Sequence, residues 1–256
     1  MEVADLLKQG RTEEAWQWCC GFIDLTMNDC MQIQRRLLME QLELLKKCEL
    51  GRYIMNGANP RTVEEFRAST PLTTYDDYAP YLLNKRENTL PMKPALWQYT
   101  SGKSAEYPYR WVPMTAGQLK EIEPLLFALT FFSGCQQRNE INFKAHDKVL
   151  YGMAPPPYAT GTMARIFPRQ MFDFLPPIEQ AERMSFEDRI HLGFELALSE
   201  GLDIGFALSS VAVAIGDRFK HNSNNTSAKT WLKKPQVLPR LVRGLIKSRL
   251  AHRPLL

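Results

Sequence analysis

The sequence predicts an α/β layered fold with a helical segment ahead of it. Three observations carry that prediction. Apolar residues recur at helical spacing through residues 1–50. Two extended, β-prone runs flank a short polar loop near residue 100. Helix and strand candidates then alternate as far as Gly216.

The helical segment is expected over 1–50. Thr12 is placed to cap a helix running through Ala15, Trp16, Cys19 and Phe22, and a longer helix carries Met27, Ile33, Leu37, Leu38, Leu42 and Leu45 on one stripe. The opposite face holds Gln34, Arg35, Arg36, Glu40, Lys46 and Lys47, so the stripe reads as a face that docks on the core. Gly51 and then Gly57-Ala58-Asn59-Pro60 break the pattern and begin the α/β region, expected over 51–220. Thr62-Val63-Glu64-Glu65 has the spacing of a capping box, in which the hydroxyl and the carboxylate each satisfy an orphan amide. Thr74-Tyr75-Asp76-Asp77 starts a further helix, expected to reach Asn84. Carboxylates in both first turns suit the helix dipole and call for no catalytic role.

Leu96-Trp97-Gln98-Tyr99 reads as a buried strand that breaks into Thr100-Ser101-Gly102-Lys103-Ser104-Ala105. A second extended run, Trp111-Val112-Pro113-Met114, follows. Thr115-Ala116-Gly117-Gln118 then opens a helix to Phe132 that Pro124 is placed to kink. Lys148 to Met153 is a strand candidate, Ala154-Pro155-Pro156-Pro157 a rigid extended segment, and Tyr158 to Ala164 a turn of small residues. A helix is expected from Ser185 to Glu200. The apolar stretch Leu202 to Ile215 suits either helix or strand, Asn222 to Ser227 reads as a polar loop, and Leu238 to Leu250 forms the last helix of a basic tail over 221–256.

Strand, small polar loop and strand is a way to present main-chain amides and hydroxyls to phosphate. Thr100, Ser101, Gly102 and Ser104 would supply those groups, and Lys103 and Arg110 the positive charge, so the loop suggests a nucleoside triphosphate site. The bland alternative is a hairpin turn whose Lys and Ser are merely solvated. A Walker A loop is excluded although Gly102-Lys103-Ser104 copies its ending. That motif needs a glycine five residues before its Gly-Lys-Ser, and Trp97 stands there.

Composition removes other classes. Hydrophobic residues make up 45% and charged residues 23%, an ordinary globular balance. The start of the chain lacks the basic-then-apolar pattern of a secretory signal, and no stretch approaches the about 20 apolar residues of a membrane span. The five cysteines lack paired metal-ligand spacing, so reduced thiols in a cytoplasmic protein are expected. From Arg218 onward there are ten Lys or Arg and no Asp or Glu, leaving 22 basic against 28 acidic residues before it. No ladder of aromatics is interleaved with those charges, and Trp231 stands nearly alone, which argues against a nucleic-acid partner. His146-Asp147, His191 and Cys135 have no orienting third group in view, so no residue is assigned a catalytic role.

Two segments resemble a known family, and a third supports them. Phe66-Arg67-x-Ser69-x-Pro71-Leu72-Thr73-Thr74-Tyr75-Asp76-Asp77 resembles an early segment of the auxin-responsive acyl acid–amido synthetases, members of the adenylate-forming enzymes alongside phenylacetate–CoA ligase and the acyl-CoA synthetases. Thr100-Ser101-Gly102-Lys103-Ser104-Ala105 is similar to their Ser/Thr/Gly-rich nucleotide loop. Gly161-Thr162-Met163-Ala164-Arg165 is similar to a later Gly-x-x-Ala-Arg stretch. The likeness runs from Cys48 to Phe219 and implies part of the layered α/β large domain of an adenylate-forming enzyme.

By that resemblance the chain is the N-terminal portion of an ATP-dependent ligase. It would use ATP and Mg²⁺ to activate a small carboxylic acid for transfer to an amine or thiol. The chain departs from the family at Lys103, where Thr or Ser is usual, and at Glu106. Arg110 stands at the place of a family lysine, displaced by one residue. It also has no Tyr-Gly-x-(Ser/Thr)-Glu adenine motif, no Thr-Gly-Asp ribose motif and no lid lysine. The expectation is therefore a chain inactive alone, completed by a C-terminal portion of the same enzyme. The alternative is a non-catalytic remnant that binds nucleotide or a partner.

Overall fold

Local capping and two small sheets organise the chain, in a computed structural model that describes residues 2–100, 107–166, 171–207 and 209–222 with isolated positions at 239, 242, 243 and 246. The fold is mixed α/β, mostly helical. It divides into two units, one within Met1–Phe143 and Pro155–Pro168, the other within Lys144–Ala154 and Arg169–Leu256.

The first unit begins with α1 (Val3–Lys8), α2 (Thr12–Cys20), a 3-10 turn (Gly21–Asp24) and α3 (Met27–Leu45). Thr12 is the first residue of α2 rather than its cap. Arg11 holds that position, and its guanidinium grips Glu14 at 2.7 Å from the Nε. Thr26 caps α3 as a reciprocal box, accepting the Asp29 amide at 3.2 Å while the Asp29 carboxylate takes the Thr26 amide at 3.1 Å. The stripe of α3 was expected to dock along its length, yet only Leu42 is fully buried, and Met27 is 77% exposed.

Next come α4 (Glu49–Ile54), α5 (Val63–Ser69) and α6 (Tyr75–Leu82). Thr62 accepts the Glu65 amide at 3.0 Å, but the Glu65 carboxylate turns to the amide of Arg61 at 2.6 Å. The expected box at Thr62 is thus opened by one residue. At α6 the Asp77 carboxylate does take the Thr74 amide, at 2.7 Å.

Two antiparallel strands follow, β1 (Leu96–Thr100) and β2 (Arg110–Met114), then α7 (Ala116–Gly134). Thr115 and Gln118 form another reciprocal box at its start. The last helix of the unit is α8 (Ala159–Ile166). It replaces the turn expected there, because Gly161, Thr162 and Ala164 are small enough to bury against their surroundings. The core gathers α1, α2 and α7. Trp16 stacks on Phe131 at 5.9 Å and meets Phe132 edge-on at 5.8 Å, and Phe143 stacks on Phe131 at 5.5 Å. All five cysteines are free, and burial pushes the Cys19 thiol up to about 12 and the Cys20 thiol to about 11.

The second unit is built on a parallel sheet in the order β4-β3-β5, from β3 (Asp147–Gly152), β4 (Phe172–Leu175) and β5 (Ile204–Ala207). The central strand is buried over Val149, Leu150, Tyr151 and Gly152, as expected of a strand paired on both edges. The short helix α9 (Ile178–Ala181) and α10 (Phe186–Glu200) connect β4 to β5, and α10 packs on β3 and β4. Gly193 permits that approach, since a Cβ there would lie 2.9 Å from Leu150 Cδ1 and 3.0 Å from the Leu175 carbonyl oxygen. The 202–215 stretch is both structures at once, β5 followed by α11 (Ser209–Asn222). Apart from the four isolated positions, the basic tail beyond residue 222 lies outside the described residues.

A buried cation sits inside this unit. Arg189 on α10 is fully buried and donates to the Met153 carbonyl at 2.6 Å and to the Ala181 carbonyl at 3.4 Å. Its guanidinium lies 5.2 Å from the rings of both Tyr151 and Phe186. Burial lowers its pKa.

Candidate functional site

The hairpin of the first unit brings Thr100 opposite Arg110 in register, where the chain leaves β1 and enters β2. Thr100 is exposed and Arg110 half-buried. Ser101, Gly102, Lys103 and Ser104 lie outside the described residues. What is described already separates this hairpin from a Walker A loop, which runs from strand into helix. Here Trp97 lies within β1, with its indole N–H on Glu87 at 3.2 Å, and the chain after residue 106 leads into β2.

The hairpin is braced from both sides. In the pair Tyr99–Trp111 the main-chain amides point outward on each strand. The Tyr99 amide donates to the Pro157 carbonyl at 2.9 Å, and Tyr99 forms an isolated parallel bridge with Tyr158 on the outer edge of β1. On the other edge, the Trp111 amide donates to the Tyr75 hydroxyl at 2.8 Å, and that hydroxyl faces the Trp111 carbonyl at 3.3 Å. Tyr75 belongs to the first turn of α6, which the Thr74–Asp77 cap holds in place.

Aromatic rings cluster around this frame. Tyr99 lies 4.3 Å from Tyr109, 4.4 Å from Tyr158 and 5.0 Å from Trp111. Desolvation first, then the bond to Tyr109 and the nearness of Tyr99, push the Tyr158 phenol up to about 12. Two cations sit on ring faces, Lys85 with its Nζ 3.5 Å from Trp111 and Arg110 with its guanidinium 5.5 Å from Tyr75. The sequence reading passed over this cluster. Its signal was the spacing of Tyr107, Tyr109 and Trp111 at every second position leading into β2, with Tyr99 paired to Trp111 across the hairpin.

The Gly161-to-Arg165 stretch forms most of α8, which starts directly after Tyr158 and packs against β1 and α7. Gly161 and Thr162 are buried and Arg165 is exposed. The remaining chemistry-bearing residues each sit in their own local surroundings. His146 is exposed and meets Asp173 at 3.2 Å in the second unit, His191 is exposed on α10, and Cys135 donates to the Phe132 carbonyl at 3.8 Å. Among the described residues no group of three His, Cys, Asp or Glu comes together to hold a metal. No helix among them is long and apolar enough to cross a membrane. Two shallow grooves run beside α3, one lined by Met39 and Leu44, the other by Leu38 and Val63, and neither includes a hairpin residue.

A family model described as the GH3 family N-terminal domain matches residues 19–151, just over half of the chain. The matched region contains Tyr75 and the whole hairpin, begins well before Cys48, and stops short of the Gly161-to-Arg165 stretch. No curated protein and no solved structure matches the chain.

Proposed function

Because the chain belongs to the GH3 family, which includes auxin-responsive acyl acid amido synthetases, we propose that it carries the phosphate-binding N-terminal part of an ATP-dependent acyl-adenylate-forming ligase. The observation that supports this most is the Thr100–Arg110 register pair. It sets a hydroxyl-bearing residue and a cationic one at the end of the hairpin from which Ser101-Gly102-Lys103-Ser104 departs. On this reading the layered large domain of an adenylate-forming enzyme is the parent architecture, and the two small sheets are parts of it.

The reaction joins a carboxylate oxygen of a small acyl acid to the α-phosphorus of ATP, and pyrophosphate leaves. An amine or thiol then attacks the acyl carbonyl of the adenylate, forming the amide or thioester as AMP leaves. Such chemistry rests on positioning and charge neutralisation rather than on a covalent nucleophile. Ser101, Gly102 and Ser104 donate hydrogen bonds to the β- and γ-phosphates, while Lys103 and Arg110 neutralise them. Thr100 anchors the start of the loop. Mg²⁺ would be carried in mainly by the phosphates, as is usual for this ion, and would add to their neutralisation.

Adenine, ribose and lid motifs are missing from these 256 residues, so this chain binds the triphosphate without completing adenylation. Calorimetric titration with MgATP, paired with a pyrophosphate-release assay across a panel of acyl acids, tests both halves. Binding without pyrophosphate release is expected. Steady turnover would refute the inactivity, and absence of binding would refute the nucleotide site. Lys103 and Glu106 depart from the family loop and favour a second reading, a non-catalytic remnant that binds a partner. A chain that ignores MgATP is what that second reading requires.

A further inference from the structure

We infer that Tyr75 is a positioning residue for the triphosphate site, holding β2 through its hydroxyl and aiming Arg110 through its ring. This rests on the triphosphate reading of the hairpin. Arg110 alone is a long side chain with many rotamers, and a guanidinium recognises phosphate best when its fork is held in one plane. Two features restrict it. Its main chain is fixed because the next residue, Trp111, has its amide on the Tyr75 hydroxyl at 2.8 Å and its carbonyl 3.3 Å from the same oxygen. Its guanidinium lies 5.5 Å from the centre of the Tyr75 ring, within the range of a cation–π contact.

Tyr75 is itself rigid. It starts α6 beneath the Thr74–Asp77 cap, and the Tyr107 ring stands edge-on against it at 5.6 Å. Burial raises the Tyr75 phenol above its ordinary value. One aromatic side chain therefore links a capped helix to the strand that bears the phosphate-binding cation. Phenylalanine would keep the ring and lose the clamp, and leucine would lose both.

MgATP titrations of the unaltered chain, Arg110→Gln, Tyr75→Phe and the double variant test this. Loss of the charged hydrogen bond in Arg110→Gln is expected to weaken binding about tenfold or more. Tyr75→Phe is expected to weaken it about fivefold in the unaltered background and not at all in Arg110→Gln, because both changes act on one contact. Equal weakening in both backgrounds, or none in either, overturns the positioning role and leaves the site standing. Absence of binding by the unaltered chain, or full binding by Arg110→Gln, overturns the triphosphate reading and this inference together. A nucleotide-free measurement guards against a variant that folds poorly. The ¹⁵N heteronuclear NOE of Arg110 Nε–Hε should report an ordered side chain in the unaltered protein and a mobile one in Tyr75→Leu. A side chain already mobile in the unaltered protein overturns the inference.

Discussion

Replacing Gly51 by alanine sets two well-measured effects against each other. Gly51 lies in α4, inside a helix of ordinary hand, where alanine is favoured over glycine by about 1 kcal/mol. The end of α3 presses against it. An added Cβ would collide with the Leu45 carbonyl oxygen and lie 2.5 Å from the Leu45 carbonyl carbon and 2.7 Å from its Cα. All three are main-chain atoms, so no rotamer change relieves the overlap, and the tight turn between α3 and α4 must move. Overpacking of this kind costs about 1–3 kcal/mol, and a clash with main chain belongs at the upper end. Subtracting the helix gain leaves a net loss of about 2 kcal/mol, or about 5 °C in melting temperature for a chain of this size. Gly117→Ala is the matched control. That glycine lies in the first turn of α7, and an added Cβ would meet only Thr115 Oγ1, at 3.9 Å. It should be neutral or slightly stabilising. Thermal melts followed by circular dichroism decide the matter. A Gly51→Ala protein as stable as the unaltered chain would show that the close α3–α4 approach has no energetic role.

Phe131→Ala should destabilise the first unit by about 3–5 kcal/mol, because the ring is 1% exposed and stacks on Trp16 and Phe143. Urea unfolding checks this, and a loss under 1 kcal/mol would place the core elsewhere. Tyr158 titrates at about 12 rather than 10.0, so its contribution to stability is complete below the ordinary phenol range and is lost as pH rises toward 12. Alkaline titration followed by phenolate absorbance should lose its latest-ionising component in Tyr158→Phe, and Tyr109→Phe should shift that component to lower pH. An unchanged high-pH limb in Tyr158→Phe would contradict the assigned environment.

Elements announced by neighbours in sequence were readable without the structure. Thr74 with Asp77 and Thr115 with Gln118 lie three residues apart, and each pair closes on its own helix start, whereas Thr12 yields the cap position to Arg11 and the Glu65 carboxylate turns from Thr62 to the Arg61 amide. The extended runs on either side of residue 100 likewise became β1 and β2. Elements that depend on distant partners were not readable in the same way. Phe172 to Leu175 is too short to declare itself and becomes β4 only through pairing with β3. Residues 204–207 take the strand state beside β3, whereas the equally apolar residues after them turn into α11. Tyr158 to Ala164 has the small residues of a turn, yet those same residues let a helix bury one face.

The sequence by itself determined the helix starts at Thr74 and Thr115, the two extended runs of the hairpin and the family likeness, because each is written in side chains a few positions apart. Tertiary structure alone decided that Thr100 faces Arg110 across the hairpin, that Tyr75 reaches over 36 positions to grip Trp111, and that Arg189 is buried on the carbonyls of Met153 and Ala181. The physical reason is one of range. A cap satisfies its amide within a single turn of helix, whereas an outward-facing strand amide or a buried guanidinium finds its partner only once distant segments have packed together.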